Sequence, residues 1–362
     1  MNENMEKKIK IGISQGDING ISYEIILKAL MDNRINELCT PVIYGSPKVA
    51  AYHRKALDIE NFSLNNITKI EDANEKRSNI INCIDENIRV ELGKSTSMAG
   101  EASRQALEAA VKDLKDGKLD ALVTAPINKH NIQSENFKFS GHTEYLQYAF
   151  GSKEVLMLMV SDLLRVGVVA GHVPVARLSE YITFEKLINK IRVMNHSLNL
   201  DFGIRKPRIA VLGLNPHAGD NGLLGNEEIN TIIPAIEQAR NEGIVALGPY
   251  PADGFFGSGN FTHFDGILAM YHDQGLAPFK ALVVDEGINY TAGLPVIRTS
   301  PAHGTAYDLA GKNEASFGSF RNAIYLAIDI YNNRSLNKEI TGNPLHSGLP
   351  PEVMGTKDQP GE

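Results

Sequence analysis

The 362-residue chain has no tryptophan, two cysteines and no excess of basic residues. Cys39 and Cys83 stand alone, with no CxxC and no metal-type spacing, which excludes a disulfide framework or a thiolate zinc site and suits a reducing compartment. Lys and Arg number 36 against 43 Asp and Glu, a net charge of -7. Phosphate backbones and anionic lipids call for a basic surface, so neither nucleic acid nor a membrane is an expected partner; a small molecule is. Apolar runs such as VLMLMV at 155–160 fall far short of the ~20 residues that span a bilayer. The opening MNENMEKKIK has charges but no apolar stretch behind them, so no secretory leader is expected and a cytoplasmic location is.

Two nucleotide-binding signatures are also missing. GKST at 93–96 lacks the earlier glycine of a phosphate loop, because that position is Ile88. In GFFGSGNF, Gly257 and Gly259 are followed by Thr262 where a dinucleotide fingerprint needs glycine, and the segment before it, PYPAD, does not read as a strand. Any nicotinamide cofactor must therefore bind by other means.

What the chain does have is alternation. The short runs IKIGIS (9–14), PVIYG (41–45), ALVTAP (121–126), LRVGVVAG (164–171), RIAVLGLN (208–215) and GILAMYH (266–272) are interleaved with helix-period segments, which predicts an α/β fold with a largely parallel sheet. Ala102, Ala106, Ala109, Ala110 and Leu114 recur at helical spacing in a segment that ends on Gly117. Ile229, Ile232, Ile233, Ile236 and Ala239 mark a second helix, which Pro234 must bend or begin. From 346 to 362 the chain is rich in Gly, Pro and charge, and a flexible tail is expected there.

Three of the ten histidines, His172, His217 and His272, stand just beyond buried-type strands. In open α/β sheets ligands bind in the crevice outside the carboxyl ends of the strands. A single such histidine reads as a hydrogen-bonded strand end, whereas three in equivalent places point to one shared site. Imidazoles suit zinc or another first-row divalent ion, magnesium prefers oxygen, and three protein ligands leave coordination positions open as catalytic metals require. In FSGHTEYLQYAF, Thr143 reads as the N-cap of a helix, which puts His142 and Thr143 at amides that attract anions. Lys280 and Arg298 add fixed positive charge.

The blocks ISQGD, SGHTE, LNPHAGD, YPAD, MYHDQG, GLPVIRTS and HGTAYDLAG, in that order along nearly the whole chain, resemble the 4-hydroxythreonine-4-phosphate dehydrogenase family of pyridoxal phosphate biosynthesis, relatives of isocitrate and isopropylmalate dehydrogenases. The resemblance implies two α/β domains, 1–138 plus 295–345 and 139–294, with the active site in the cleft between them and the metal ligands and dimer interface in the second. It implies His172, His217 and His272 as ligands of one divalent ion, zinc by ligand type with cobalt or magnesium as alternatives. His142, Thr143, Lys280, Asn289 and Arg298 become contacts to a phosphorylated substrate, and Lys280 and Asp253 candidate proton-transfer groups. Gly304 and Thr305, in a loop like the one that holds adenosine in those relatives, become contacts to NAD or NADP. A homodimer with shared active sites is implied as well. The expected reaction is oxidation of 4-phosphooxy-L-threonine to a β-keto acid that decarboxylates to 3-amino-2-oxopropyl phosphate. Oxidation of 4-phospho-D-threonate or erythronate, and metal-dependent hydrolysis, are the competing readings. Two departures stand out: GDINGISYE at 16–24 lacks the prolines of the usual GDPAGIGPE, and PADG replaces PADT at Gly254.

Overall fold

A computed structural model of the chain describes residues 8–85, 87–135 and 137–342. The expected tail, 346–362, and residues 1–7 of the N-terminal stretch lie outside the described residues. Among the described residues twelve strands form one sheet: β1 (Ile9–Ser14), β2 (Cys39–Gly45), β3 (Asn65–Ile67), β4 (Asn79–Asn82), β5 (Ala121–Thr124), β6 (Leu156–Val160), β7 (Arg165–Ala170), β8 (Arg208–Leu212), β9 (Val245–Tyr250), β10 (Gly266–Tyr271), β11 (Ile288–Ala292) and β12 (Ile297–Pro301). Their order is β3-β4-β2-β1-β5-β12-β11-β6-β7-β10-β8-β9. Both flanks are parallel, and only the central pairings β12/β11, β11/β6 and β6/β7 are antiparallel. Residues from 8 to 124 and the strand after 295 make one half of the order, and β6 to β11 make the other.

The inner strands β1, β2 and β7 are buried on both faces, as helices on either side require, and this is why they read as continuous apolar runs. The helix Ser97–Lys115 starts on Thr96, whose hydroxyl accepts from the Ala99 amide at 3.2 Å, and it buries Ala102, Ala106, Ala110 and Leu114. Pro234 sits in the first turn of the helix Ile233–Asn241, where its missing N–H is harmless, and the expected irregularity lies just before it as a π-helical turn over Glu228–Ile232.

The GDINGISYE segment keeps a tight turn without its prolines. Gly16 has φ 67°, and a Cβ there would run into the Pro126 carbonyl. Asp17 accepts hydrogen bonds from Tyr307 (2.7 Å) and Asn131 (2.8 Å), while the Asn19 side chain donates to Lys94 and Thr96 and accepts from the Glu91 amide. Side-chain hydrogen bonds thus do the fixing that proline rings would do. Tyr23 stacks on His53 at 5.2 Å, and His53 Nε2 donates to the Ile18 carbonyl at 2.8 Å.

Burial pulls the His53 pKa down to about 4, against the opposing effect of its bond to Ile18. The folded protein then binds fewer protons than the unfolded chain between about pH 6.5 and 4, so stability is lost as pH falls through that window, by about 1.4 kcal/mol per pH unit for each such histidine. Denaturant midpoints measured from pH 7 to 4 should fall, and a His53→Gln chain should show a shallower decline. A slope identical to the parent's would remove His53 from the explanation.

Candidate active site

Period-two alternation builds the floor of the site. The register of β11 against β12 pairs Asn289 with Ser300 and, continued by one step, sets Thr291 opposite Arg298; the register of β11 against β6 pairs Asn289 with Met159 and Thr291 with Met157. These side chains share a face, while Ile288, Tyr290 and Ala292 on the other face join the core. Met157, Met159, Asn289, Arg298 and Ser300 all line one cleft of about 260 Å³.

Arg298 is 3% exposed, and among the described residues no carboxylate pairs with it. Its Nε and Nη2 donate to the Thr124 hydroxyl (3.1 and 2.7 Å) and its Nη1 to the Thr291 hydroxyl (3.1 Å), which leaves N–H donors uncommitted on both terminal nitrogens. Burial lowers its pKa to about 10, so it stays cationic at neutral pH. A buried cation held by neutral hydroxyls is a receptor for an anion.

Residues beyond the strand ends form the walls. The helix His142–Phe150 presents Gly141, His142, Thr143 and Glu144 to the cleft. Thr143 is not its N-cap: Gly141 is, because the Gly141 carbonyl already accepts from the Tyr145 amide, and no side chain caps the helix start. That start therefore keeps free amides for an anionic group. His142 is held well below the ordinary histidine pKa, by burial first and then by Arg298 and Lys129, and its shielded Nε2 has no partner among the described residues. The Asn289 Oδ1 is likewise shielded and unpartnered.

His172 follows β7, and His272 follows the neighbouring β10 as the first residue of the helix His272–Leu282. Their rings lie 6.3 Å apart. His272 Nδ1 is 2.7 Å from Asp273 and His172 Nδ1 is 3.7 Å from Glu144, while Lys129 Nζ is 3.4 Å from His172 Nε2. A carboxylate on Nδ1 is the outer support that metal-binding imidazoles use, and Asp273 gives it to His272 while Glu144 stands near His172 at a longer distance, so this pair fits part of a metal site. His172 also holds the Glu144 carboxyl down to about 2.

The cleft thus brings together His142, Thr143, His172, His272, Lys280, Asn289, Arg298 and Gly304, and it does not include His217, Asp253 or Thr305. Strand order explains the first two. β8 and β9 lie one and two places beyond β10, at the sheet edge, and His217 and Asp253 follow them as exposed residues. Among the described residues no three metal-ligating side chains cluster within the chain. Thr305 turns away because its carbonyl accepts from the Ile21 amide at 3.0 Å and packs on Gly20. Beside Gly304 nothing lies within 4 Å of where a Cβ would stand, so the rim is open to a larger ligand. Three titratable lining residues escaped the sequence reading: Lys129, Glu144 and His303, whose Nε2 also has no partner among the described residues and whose pKa burial lowers. Lys129 had a usable signal, since it follows β5 as the histidines follow their strands.

The family profile described as "Pyridoxal phosphate biosynthetic protein PdxA" matches residues 37–327. The chain belongs to the PdxA family. It is 57% identical over 343 residues to a 4-hydroxythreonine-4-phosphate dehydrogenase of Bacteroides thetaiotaomicron, covering 94% of this chain and 93% of the relative. It is 39% identical over 329 residues to a D-threonate 4-phosphate dehydrogenase of Cupriavidus necator, covering 90% and 98%. The crystal structure of 4-hydroxythreonine-4-phosphate dehydrogenase from Klebsiella pneumoniae superposes with a TM-score of 0.77 at 32% identity, covering 90% of this chain and 98% of that one. In this PdxA-family chain neither sequence departure lines the cleft: GDINGISYE packs behind the Thr305 loop, and Gly254 is exposed on the helix Ala252–Gly257.

Proposed function

We propose that the protein oxidises 4-phosphooxy-L-threonine with NAD or NADP, and that the β-keto acid formed loses carbon dioxide to give 3-amino-2-oxopropyl phosphate. The observation that carries this reading is the cleft itself, where among the described residues Arg298, Lys129 and Lys280 face one lining carboxylate, Glu144, beside the imidazoles of His172 and His272. Such a lining draws in a phosphorylated anion. Arg298 and the uncapped start of the His142 helix hold the phosphate. Asn289 and the neutral His142 each offer an unpartnered atom to orient the rest of the substrate.

His172 and His272 would hold a divalent ion, with zinc favoured by the imidazole donors. When bound, such an ion lowers the pKa of the substrate hydroxyl. Oxidation moves a hydride from the carbinol carbon to the nicotinamide and the hydroxyl proton to a base, for which Lys280 is the candidate within the cleft. The ketone then accepts the electron pair released when the neighbouring carboxylate leaves. Met157, Met159 and Leu276 keep the apolar side of the cleft dry.

His217 and Asp253 lie at the sheet edge, so this reading requires a homodimer in which that edge of one copy completes the cleft of the other. Leu223, 78% exposed just after the His217 turn, and Val175, 77% exposed just after His172, are apolar side chains that such an edge-to-cleft contact would cover. Mixing His172→Ala with His217→Ala chains should restore about a quarter of parental activity, because a heterodimer has one site with both histidines intact. No restored activity in a mixture shown to exchange subunits would sink the shared site. The function itself is tested by NAD(P)H formation from a panel of phosphorylated hydroxy acids. The Cupriavidus relative makes 4-phospho-D-threonate the second reading, and a preference for it over 4-phosphooxy-L-threonine would replace the first.

A further inference from the structure

From His217 to Asn221 five consecutive residues have positive φ, at 53°, 53°, 80°, 44° and 55°, and only Gly219 is a glycine. Left-handed backbone costs a non-glycine residue roughly 1–2 kcal/mol. A run of four such residues persists only if its surroundings fix it. Within one chain the turn contributes nothing to the cleft, and its histidine is exposed.

One side chain does most of the fixing. Glu228, 2% exposed, opens the π-helical turn Glu228–Ile232. Its Oε1 accepts from the amides of Leu214 (2.7 Å) and Asn215 (2.8 Å), and its Oε2 accepts from Asn215 Nδ2 (3.0 Å). A Cβ on Gly219 would stand 2.6 Å from Oε2, and one on Gly213 3.1 Å from Oε1. The carboxylate therefore fills the inside of the turn, touching both its entry and its middle. Among the described residues it has no Lys or Arg partner. Gln274 in the His272 helix donates to the Gly213 carbonyl at 2.6 Å, so the same entry strand is tied to the element that carries His272.

A buried carboxylate satisfied only by N–H donors is a poor device for stability, since apolar packing does that without desolvating a charge. It is a good device for imposing one backbone shape. We propose that Glu228 is the positioning residue for His217: it holds the left-handed turn so that the imidazole is presented at the sheet edge in the orientation a metal site in the partner's cleft requires. The proposal rests on the reading of His217 as a ligand.

The test uses the intact dimer and Co²⁺ alone as the probe, with affinity from equilibrium dialysis and ligand geometry from the visible absorption band. His217→Ala should lose affinity. Glu228→Ala should lose about 10- to 100-fold with an altered band, as removal of an outer support does. Glu228→Gln, which can still accept from both amides, should recover most of that loss. Should Glu228→Ala not fold, Gly219→Ala presses on the same carboxylate without deleting it and should show the same loss. A merely structural role would lower the melting temperature of these variants and leave Co²⁺ affinity and band at parental values. That result, beside a loss in His217→Ala, overturns this proposal alone. Parental affinity in His217→Ala removes the ligand reading and the proposal with it.

Discussion

Arg298→Ala is expected to lower kcat/KM on the phosphorylated substrate by roughly two to three orders of magnitude, because truncating one side of a buried charged pair costs about 2–5 kcal/mol. On the dephosphorylated analogue the same change should cost only a few-fold. The contrast follows from how Arg298 is held. Thr124 and Thr291 satisfy part of the guanidinium with neutral oxygens, so among the described residues its charge has no ion-pair partner until an anion arrives. Arg298→Lys should fall in between, since an ammonium keeps the charge but cannot reach both threonines and the phosphate in one plane. Steady-state kinetics on the substrate pair, with circular dichroism to check the fold, measures this directly. Equal losses on both compounds would mean that Arg298 supports the sheet rather than the phosphate.

The parts of this site that follow from strand position were legible in the sequence, and the parts that depend on the route of the chain afterwards were not. His172 and His272 could be found because a buried run ends and a histidine follows, and adjacent strands carry them to one cleft. His217 has the same signature, yet its strand is one place further out and its turn is left-handed, which no residue spacing announces. Thr143 was misread as a cap because threonine caps well in general, whereas the glycine two places earlier takes the chain into the helix sooner. The parallel flanks were visible as β-branched runs. The antiparallel centre was not, because a strand's own residues do not record the direction of its neighbours and β11 alternates Asn289 and Thr291 with core residues. That polar alternation in a central strand is itself the mark of a strand facing a ligand, and it can be looked for elsewhere.

On the proposed reading, removing the divalent ion should lower NAD(P)H formation by roughly three orders of magnitude or more, since several kcal/mol of charge stabilisation at the substrate oxygen would be lost. The fold should survive that treatment. The apolar clusters that hold the sheet and its helices run the length of the strands and onto the helices, from Ile9 to Ile330, and contain neither His172 nor His272. An unchanged melting temperature after chelation, together with lost turnover, would therefore separate a catalytic ion from a structural one. The open rim at Gly304 does not depend on the imidazoles, so nicotinamide binding should persist in part. The reaction type is then decided by atoms. A substrate deuterated at the carbon bearing the reacting hydroxyl should pass its label to the nicotinamide ring, and a carboxyl carbon should leave as carbon dioxide in the same stoichiometry. A metal-loaded protein that binds no nicotinamide and releases inorganic phosphate would overturn the dehydrogenase reading, because the same imidazoles would then be activating water.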